Sequence, residues 1–346
     1  MGISNEKLSI SIFGLGYVGS VVAAILASRG HSVIGVDVIQ SKVDAMNAGQ
    51  ATFHEPELSE LTAKARLEGK LRATTNTAEA IAETDISLIC VGTPSTGTGS
   101  LDLSFVEEIT REIANSLNHK TSIHRLIYRS TMLPGSTRGL VENHLKDHID
   151  QGLLQVFFLP EFLRQGSAVK DMIEPSLSVI GCYDPSSDIS AIRELLDDST
   201  EQTDLESAEL IKYACNAFHA AKVAFANEMG RISKSIGVDG VEVMRVFCQD
   251  TRLNISPYYL RPGTPFGGSC LPKDVSALAQ LARSNAISTP LLESLQASNE
   301  DHMDHLTKIV EAKGKSRILL MGLSFKDQTD DLRGSAAFEL ATRLLL

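Results

Sequence analysis

The apolar positions of the chain fall into an alternation of short continuous runs and longer amphipathic stretches. Leu8–Phe13 alternates and then runs apolar, as a strand covered on both faces does. An apolar helix follows to about Arg29, Gly30-His31 breaks it, and Ser32–Val36 reads as a second strand ending at Asp37. Beyond it, Glu55–Gly69 and Thr77–Glu83 read as helices, Ile86–Val91 as a strand and Phe105–Leu117 as an amphipathic helix. Arg125–Tyr128 and Leu154–Leu159 are strands, and Ser176–Ile180 adds a last one. Strands alternating with helices predict an α/β fold, a Rossmann-like doubly wound sheet over residues 1–200.

The pattern changes near Ser199. From about Asp204 to Ile236 one long helix is predicted, interrupted in composition only by Gly230. Its middle, Ile211–Gly230, is mostly apolar, yet Lys212, Asn216, His219 and Asn227 fall within a sector of roughly 80°. A narrow polar stripe on a buried helix is costly unless it meets a ligand or a polar partner. The apolar remainder is suited to a second subunit. Val241–Cys248 is a short helix, Pro272 opens another that runs to about Ser284, and Pro290 to about Ala312 is a long polar one. Arg317–Met321 reads as a strand and Gly334–Leu346 as the start of an amphipathic helix. The expected organisation is thus 1–200, a helical region 201–312, and 313–346 as the beginning of a second, incomplete α/β domain.

Composition narrows the function classes. With 43% hydrophobic and 22% charged residues the chain is a globular protein, and a net charge of −11 supplies no basic stripe for nucleic acid. Met1–Ile10 lacks a signal-peptide pattern and no apolar run approaches 18 residues, so a cytoplasmic, unanchored protein is expected. The five cysteines (Cys90, Cys182, Cys215, Cys248, Cys270) are scattered and lack CxxC spacing, against a disulfide framework or a zinc site. His302 and His305, three apart on a helix, read as a solvated face.

Candidate chemistry gathers at four places. Gly14-Leu-Gly16-Tyr17-Val18-Gly19 lies between a strand and a helix, with an acid, Asp37, at the end of the next strand. That is the dinucleotide fingerprint in its required context. Gly14 makes the turn, Gly16 admits the pyrophosphate and Gly19 allows helix–strand contact. Asp37 takes the ribose hydroxyls, and because no arginine follows it NAD is favoured over NADP. Lys42, one turn into the next helix, is within reach of the adenosine end. Thr93, Thr131 and Glu161 each follow a predicted strand and so share the carboxyl edge of the sheet, where ligands bind in such folds. The third place is Gly263–Asp274. Gly267 and Gly268 permit close approach or positive φ, and Cys270 precedes a helix start with Lys273 beside it, both favouring thiolate. Asp274 is one turn from the sulfur. The fourth, Tyr258, Tyr259 and Arg261, offers stacking surface and a phosphate-binding fork.

Taken together, the motifs GLGYVG, VGTPS, RSTMLPG, PEFL, KYACNAFHAAK, FANE, FGGSCLPKD and GLSFK resemble, in order, the nucleotide-sugar 6-dehydrogenases, the family of UDP-glucose and GDP-mannose dehydrogenases. The resemblance implies two Rossmann-like domains joined by a long helix that forms a dimer, and NAD-dependent four-electron oxidation of a sugar C6 alcohol to a carboxylate. It is nearer the GDP-mannose branch at His219–Lys222, Phe225–Glu228 and Tyr258–Gly263, with UDP-sugar oxidation or non-catalytic nucleotide binding as alternatives. It implies Lys212 and Asn216 on the alkoxide, a water held by Thr131 and Asp274 as base, Cys270 as nucleophile and Glu161 in thioester hydrolysis. Gln165, His219, Asn227, Tyr258, Tyr259, Arg261 and Lys326 would contact substrate, and Lys273 and Arg333 cofactor. Leu159 stands where the family usually has Asn, and Gln165 where it often has Glu.

Overall fold

The computed structural model describes residues 7–94, 101–193, 195, 199–256, 263–268, 271–314, 317–324, 332 and 334–345, without the side chains of 191, 273, 274 and 277. The chain divides into two compact units, Met1–Asn216 and Ala217–Leu346.

In the first unit the elements run β1 (Ser9–Phe13), α1 (Tyr17–Ser28), β2 (Ser32–Val36), α2 (Gln40–Asn47), α3 (Leu58–Leu67) and β3 (Leu71–Thr74). Then come α4 (Thr77–Glu83), β4 (Ile86–Ile89), α5 (Ser104–Leu117), β5 (His124–Tyr128), α6 (Ser136–His144) and α7 (Lys146–Asp150). β6 (Leu154–Phe158), α8 (Ala168–Ile173), β7 (Val179–Cys182), α9 (Ser190–Arg193), β8 (Glu201–Asp204) and the start of α10 (Leu205–Ser235) complete it. The strands form one sheet in the order β3-β2-β1-β4-β5-β6-β7-β8. The first six are parallel, β7 is antiparallel to β6, and β8 is parallel to β7.

Period-two alternation sorts the strand residues onto two cores. Ile10, Ile12, Leu88 and Ile127 pack in one cluster with Val22, Ala23 and Leu26 of α1. Phe13, Ile89, Leu126 and Tyr128 pack in the other with residues of α4, α5 and α6. The serines that interrupt β1 and β4 have a purpose. Ser11 Oγ lies 2.6 Å from Ser87 Oγ, which lies 2.7 Å from Nε2 of His124 on β5. Burial lowers the His124 pKa to about 3, so the ring is a neutral member of a cross-strand polar row.

Two strands escaped the hydrophobic pattern. β3 has only Leu71 and Ala73 facing inward, and β8, Glu-Gln-Thr-Asp, is polar throughout at the sheet edge. β7 begins three residues later than the predicted strand, since Ser176 and Leu177 line a cavity instead. The helix expected from Glu55 starts only at Leu58, because Pro56 intervenes and Glu57 has left-handed φ of 66°.

The second unit holds the rest of α10 with α11 (Gly240–Phe247), α12 (Leu271–Ser284), α13 (Pro290–Glu311) and α14 (Ala336–Leu345). Its small core joins Ile232, Ala282 and Leu292. Glu228, 3% exposed, accepts the Leu291 and Leu292 N–H groups at 2.9 and 3.1 Å and so caps α13. Residues 317–321 form no strand: the described ladders do not include them, and Leu319 and Met321 are exposed. No helix of the described residues is long and apolar enough to cross a membrane.

The His124 row gives a pH signature. Its folded-state pKa lies below the ordinary 6.5, so the unfolded chain binds the proton more tightly and stability falls as pH drops from 6.5 toward about 3. Urea midpoints of wild type at pH 7 and pH 5 should differ by more than those of His124→Asn; equal differences would remove the histidine from the acid response.

Candidate active site

The first turn of α1 is built to leave its amides free. Gly14 has φ of 91° and donates its N–H to Val36 O at 2.8 Å, turning the chain out of β1. A Cβ on Gly19 would stand 1.9 Å from Gly14 O, so α1 can approach the turn only without a side chain there. Gly16 caps the helix with no side-chain acceptor, and a Cβ on it would meet nothing within 4 Å. Open amides and an open approach fit a phosphate.

Asp37, 8% exposed, is where the fingerprint needs an acid, but it has more tasks than expected. Its Oδ2 accepts Leu15 N–H at 2.7 Å and Lys42 Nζ at 3.0 Å, and Oδ1 accepts Ile39 N–H at 2.9 Å. One carboxylate thus ties the glycine turn to the start of α2 and retains a lone pair on Oδ1 for a ribose hydroxyl. Lys42, expected at the adenosine end, is paired to this acid.

Beside the turn lies a cleft of about 780 Å³ lined by Gly16, Tyr17, Lys42, His54 and Gln165 among others. Its wall depends on Glu55, which no sequence pattern marked. Glu55 is 4% exposed and accepts Tyr17 Oη–H, Gly166 N–H and Ala168 N–H, each at 2.9 Å. Burial opposes its charge, yet the Gly166, Ala168 and Tyr17 donors prevail and hold its carboxyl below the usual range. Burial, the Tyr17–Glu55 bond and the Glu55 charge all push the Tyr17 phenol up, so it remains a donor.

At the carboxyl edge Thr93 Oγ1 donates to Thr131 O at 2.8 Å, bringing the ends of β4 and β5 together. Glu161, after β6, meets Lys212 of α10. Lys212 Nζ lies 2.8 Å from Glu161 Oε1 and 2.5 Å from Glu161 O, and 5.4 Å from the Phe162 ring centre. Glu161 Oε2 accepts Leu163 N–H at 2.9 Å. The lysine is 6% exposed, a buried ammonium paired at close range. The rest of the expected stripe does not share that burial: Asn216, His219 and Asn227 are exposed, as are Phe218 and Val223. The middle of α10 is therefore not a buried helix among the described residues. Leu159 sits in the core and Gln165 on the cleft wall.

In the second unit Gly268, at φ of 81°, donates its N–H to Gly334 O at 2.9 Å, and a Cβ on Gly267 would stand 2.0 Å from that oxygen. The close approach expected of these glycines is to the chain itself. Asn299 grips Phe266 through its N–H (2.8 Å) and C=O (2.9 Å), and His302 Nε2 lies 2.7 Å from Gly263 O. His302 is thus a loop contact rather than a solvated residue. Cys270, Tyr258, Tyr259, Arg261, Lys326 and Arg333 lie outside the described residues, as do the side chains of Lys273 and Asp274.

Residues 8–198 match the NAD binding domain, and 206–301 the central domain, of the UDP-glucose/GDP-mannose dehydrogenase family. The chain belongs to that family. Its members' chemistry, NAD-dependent oxidation of nucleotide sugars, is the chemistry of this enzyme. Among relatives, the GDP-mannose 6-dehydrogenase of Pseudomonas putida is 49% identical over 98% of this chain and 78% of its own. That of Azotobacter vinelandii is 46% identical over 98% and 79%. A UDP-glucose 6-dehydrogenase of Haloferax volcanii is 35% identical over 98% and 81%. The crystal structure of a ternary complex of GDP-mannose dehydrogenase from Pseudomonas aeruginosa superposes with a TM-score of 0.94 at 45% identity, covering 98% of this chain and 79% of that one. A Pyrobaculum islandicum UDP-glucose dehydrogenase gives 0.68 at 35%, covering 100% and 81%.

Replacing Glu55 by Gln should raise KM for NAD by about fivefold, equivalent to about 1 kcal/mol, with little change in kcat. A carboxylate with depressed pKa stabilises the fold above its ordinary 4.5 and loses that contribution as pH falls. Glu55→Gln should therefore also show a shallower loss of stability below pH 4.5. An unchanged KM would show that the cleft wall does not touch the cofactor.

Proposed function

We propose that the enzyme oxidises C6 of GDP-mannose to the carboxylate, with two NAD reduced per sugar. One observation carries the choice of substrate. Identity is 45–49% with GDP-mannose 6-dehydrogenases and 35% with UDP-glucose 6-dehydrogenases, over 97–98% of the chain in each case.

NAD would be held in the first unit by the open amides at Gly16, flanked by Tyr17 and Val18, for its pyrophosphate and by Asp37 for its ribose, with Thr93, Thr131, Lys273 and Arg333 as further contacts. Bound there it would supply the acceptor for the hydride that leaves C6. Lys212 supplies the positive charge on which the C6 alkoxide and then the aldehyde oxygen develop, and Asn216 a second hydrogen bond. A water held by Thr131 and Asp274 takes the hydroxyl proton. The Cys270 thiolate adds to the aldehyde carbon, giving a tetrahedral hemithioacetal that can release a second hydride, which a bare aldehyde cannot do well. The resulting thioester is hydrolysed by a water that Glu161 deprotonates, freeing the carboxylate and the thiol. Overall one alcohol and one water yield a carboxylic acid, and two hydrides leave to two NAD.

Substrate contacts would come from Gln165, His219, Asn227 and Lys326, with Tyr258, Tyr259 and Arg261 reaching over from a second copy. A homodimer accounts for the exposed Phe218 and Val223 on α10 and Val241 and Val246 on α11. The reaction would run in the cytoplasm.

NADH counted per sugar tests the scheme. The wild type should form two per GDP-mannose and turn over UDP-glucose poorly. Cys270→Ala should stop net acid formation, and Lys212→Ala should lower kcat by about 10²–10³-fold. One NADH per sugar, or a Cys270→Ala enzyme as fast as wild type, would overturn the thiol mechanism. Preference for UDP-glucose would overturn the substrate.

A further inference from the structure

Arg129 follows β5 and is 6% exposed, yet among the described residues its Nε–Nη2 edge meets no oxygen acceptor. Its Nε, wholly buried, has no hydrogen-bond partner, and Nη2 lies 3.6 Å from the Met172 sulfur, a weak acceptor. Glu161 reaches Arg129 only as a charge, and Asp171, which lines the same cavity, is bonded to Arg164. Glu161 gives Oε1 to Lys212 and Oε2 to Leu163 N–H. Asp171 takes Arg164 through its backbone N–H, Nε and Nη2, and Ser167 through Oγ. The Nε–Nη2 edge of an arginine is the fork that grips planar oxyanions with two parallel hydrogen bonds. A buried cation without such a partner is strongly unfavourable.

Arg129 and Met172, which its Nη2 touches, both line a cavity of about 170 Å³. Arg29, at the exposed end of α1 and without an ion pair among the described residues, lines it as well, with Ser176 and a wall that includes Leu159, Phe162 and Leu177. It shares no lining residue with the dinucleotide cleft. Its volume exceeds that of a few waters and suits an oxyanion carrying a short apolar chain.

We propose that this cavity is a binding site for a small oxyanion, a carboxylate or phosphate, held by the Nε–Nη2 edge of Arg129 with Arg29 as a second cation on its lining. Because Pro160 and Phe162, on either side of Glu161, line the cavity, occupancy bears on the placement of the Glu161–Lys212 pair. The site is thus suited to an effector rather than to substrate.

The test uses the whole enzyme with NAD saturating, so that the dinucleotide's own phosphate contacts are filled. Thermal unfolding is followed while sodium chloride is replaced, at constant ionic strength, by inorganic phosphate in one arm and by propionate in the other. The wild type should gain several degrees in Tm, saturably, in the arm whose head group fits. Arg129→Met should lose that gain, and Arg29→Met should weaken it while leaving the fold intact. Crystals soaked in selenate should show the ion on Arg129. An equal Tm response in wild type and Arg129→Met, or an empty cavity in soaked crystals at concentrations that stabilise the wild type, would overturn the site. Should Arg129→Met fail to fold, the Arg29 variant and the soak still decide it. None of these readouts involves turnover, so they stand apart from the fate of the thiol mechanism.

Discussion

The first unit is organised by a contact that leaves no room for a side chain. Gly19 of α1 lies against the carbonyl of Gly14, where a Cβ would come within 1.9 Å of oxygen and 3.3 Å of Cys90 Cβ. Any other residue at 19 would push the helix off β1 and β4. The amides of its first turn would then no longer stand over the sheet edge where Thr93, Thr131 and Glu161 collect. Gly14 contributes the positive φ that makes the turn, and a Cβ on it would meet Val91 at 3.0 Å, so the same few atoms fix both the start of the helix and the end of β4. Sheet, cleft and carboxyl edge are positioned together from this point.

A second device recurs through both units: a buried carboxylate accepting backbone amides from a distant stretch of chain. Asp37 holds Leu15 and Ile39, Glu55 holds Gly166 and Ala168, and Glu228 holds Leu291 and Leu292. Glu209, fully buried on α10, accepts Gly135 N–H at 2.6 Å and Thr137 N–H and Oγ at 2.8 and 2.6 Å. Burial raises the Glu209 pKa even against these donors, which shows how much desolvation such an anchor must offset. In a chain of net charge −11 these acids thus lean chiefly on amides, with Lys42 added at Asp37 and Arg231 near Glu228. These bonds are short, directional and charge-assisted, and they fasten loops that no hydrophobic contact could hold in register.

This device also explains what the sequence disclosed and what it hid. Gly14, Gly16, Gly19 and Asp37 could be read because the fingerprint confines its chemistry to a short stretch with fixed spacing. Lys212 stood out because a lysine among apolar helical neighbours has to find a partner. Glu55 could not be read: the amides it serves lie 111 and 113 positions away, and nothing beside it signals them. Glu209 and Glu228 were hidden for the same reason. Periodicity located α10 and placed its polar sector, but a helix's period says nothing of what covers it, and Asn216, His219 and Asn227 are exposed. β3 and β8 fell below the length and hydrophobicity at which alternation becomes a signal.

The pairing of Lys212 with Glu161 constrains how the two can act. The ammonium is held by the carboxylate and by the same residue's carbonyl, so it cannot face a developing alkoxide while all of these contacts stay at full strength. A lysine has three rotatable donors on a flexible stem and can surrender one bond to a new oxyanion while keeping another. An arginine's rigid fork could not divide itself that way. In the proposed mechanism the third donor would strengthen its bond to the sugar oxygen as negative charge grows there, and Glu161 Oε1 would correspondingly be freed to accept from a water. The first step and the last would then draw on two states of one ion pair. Removing either member should cost nearly what removing both does, because neither function survives without the other.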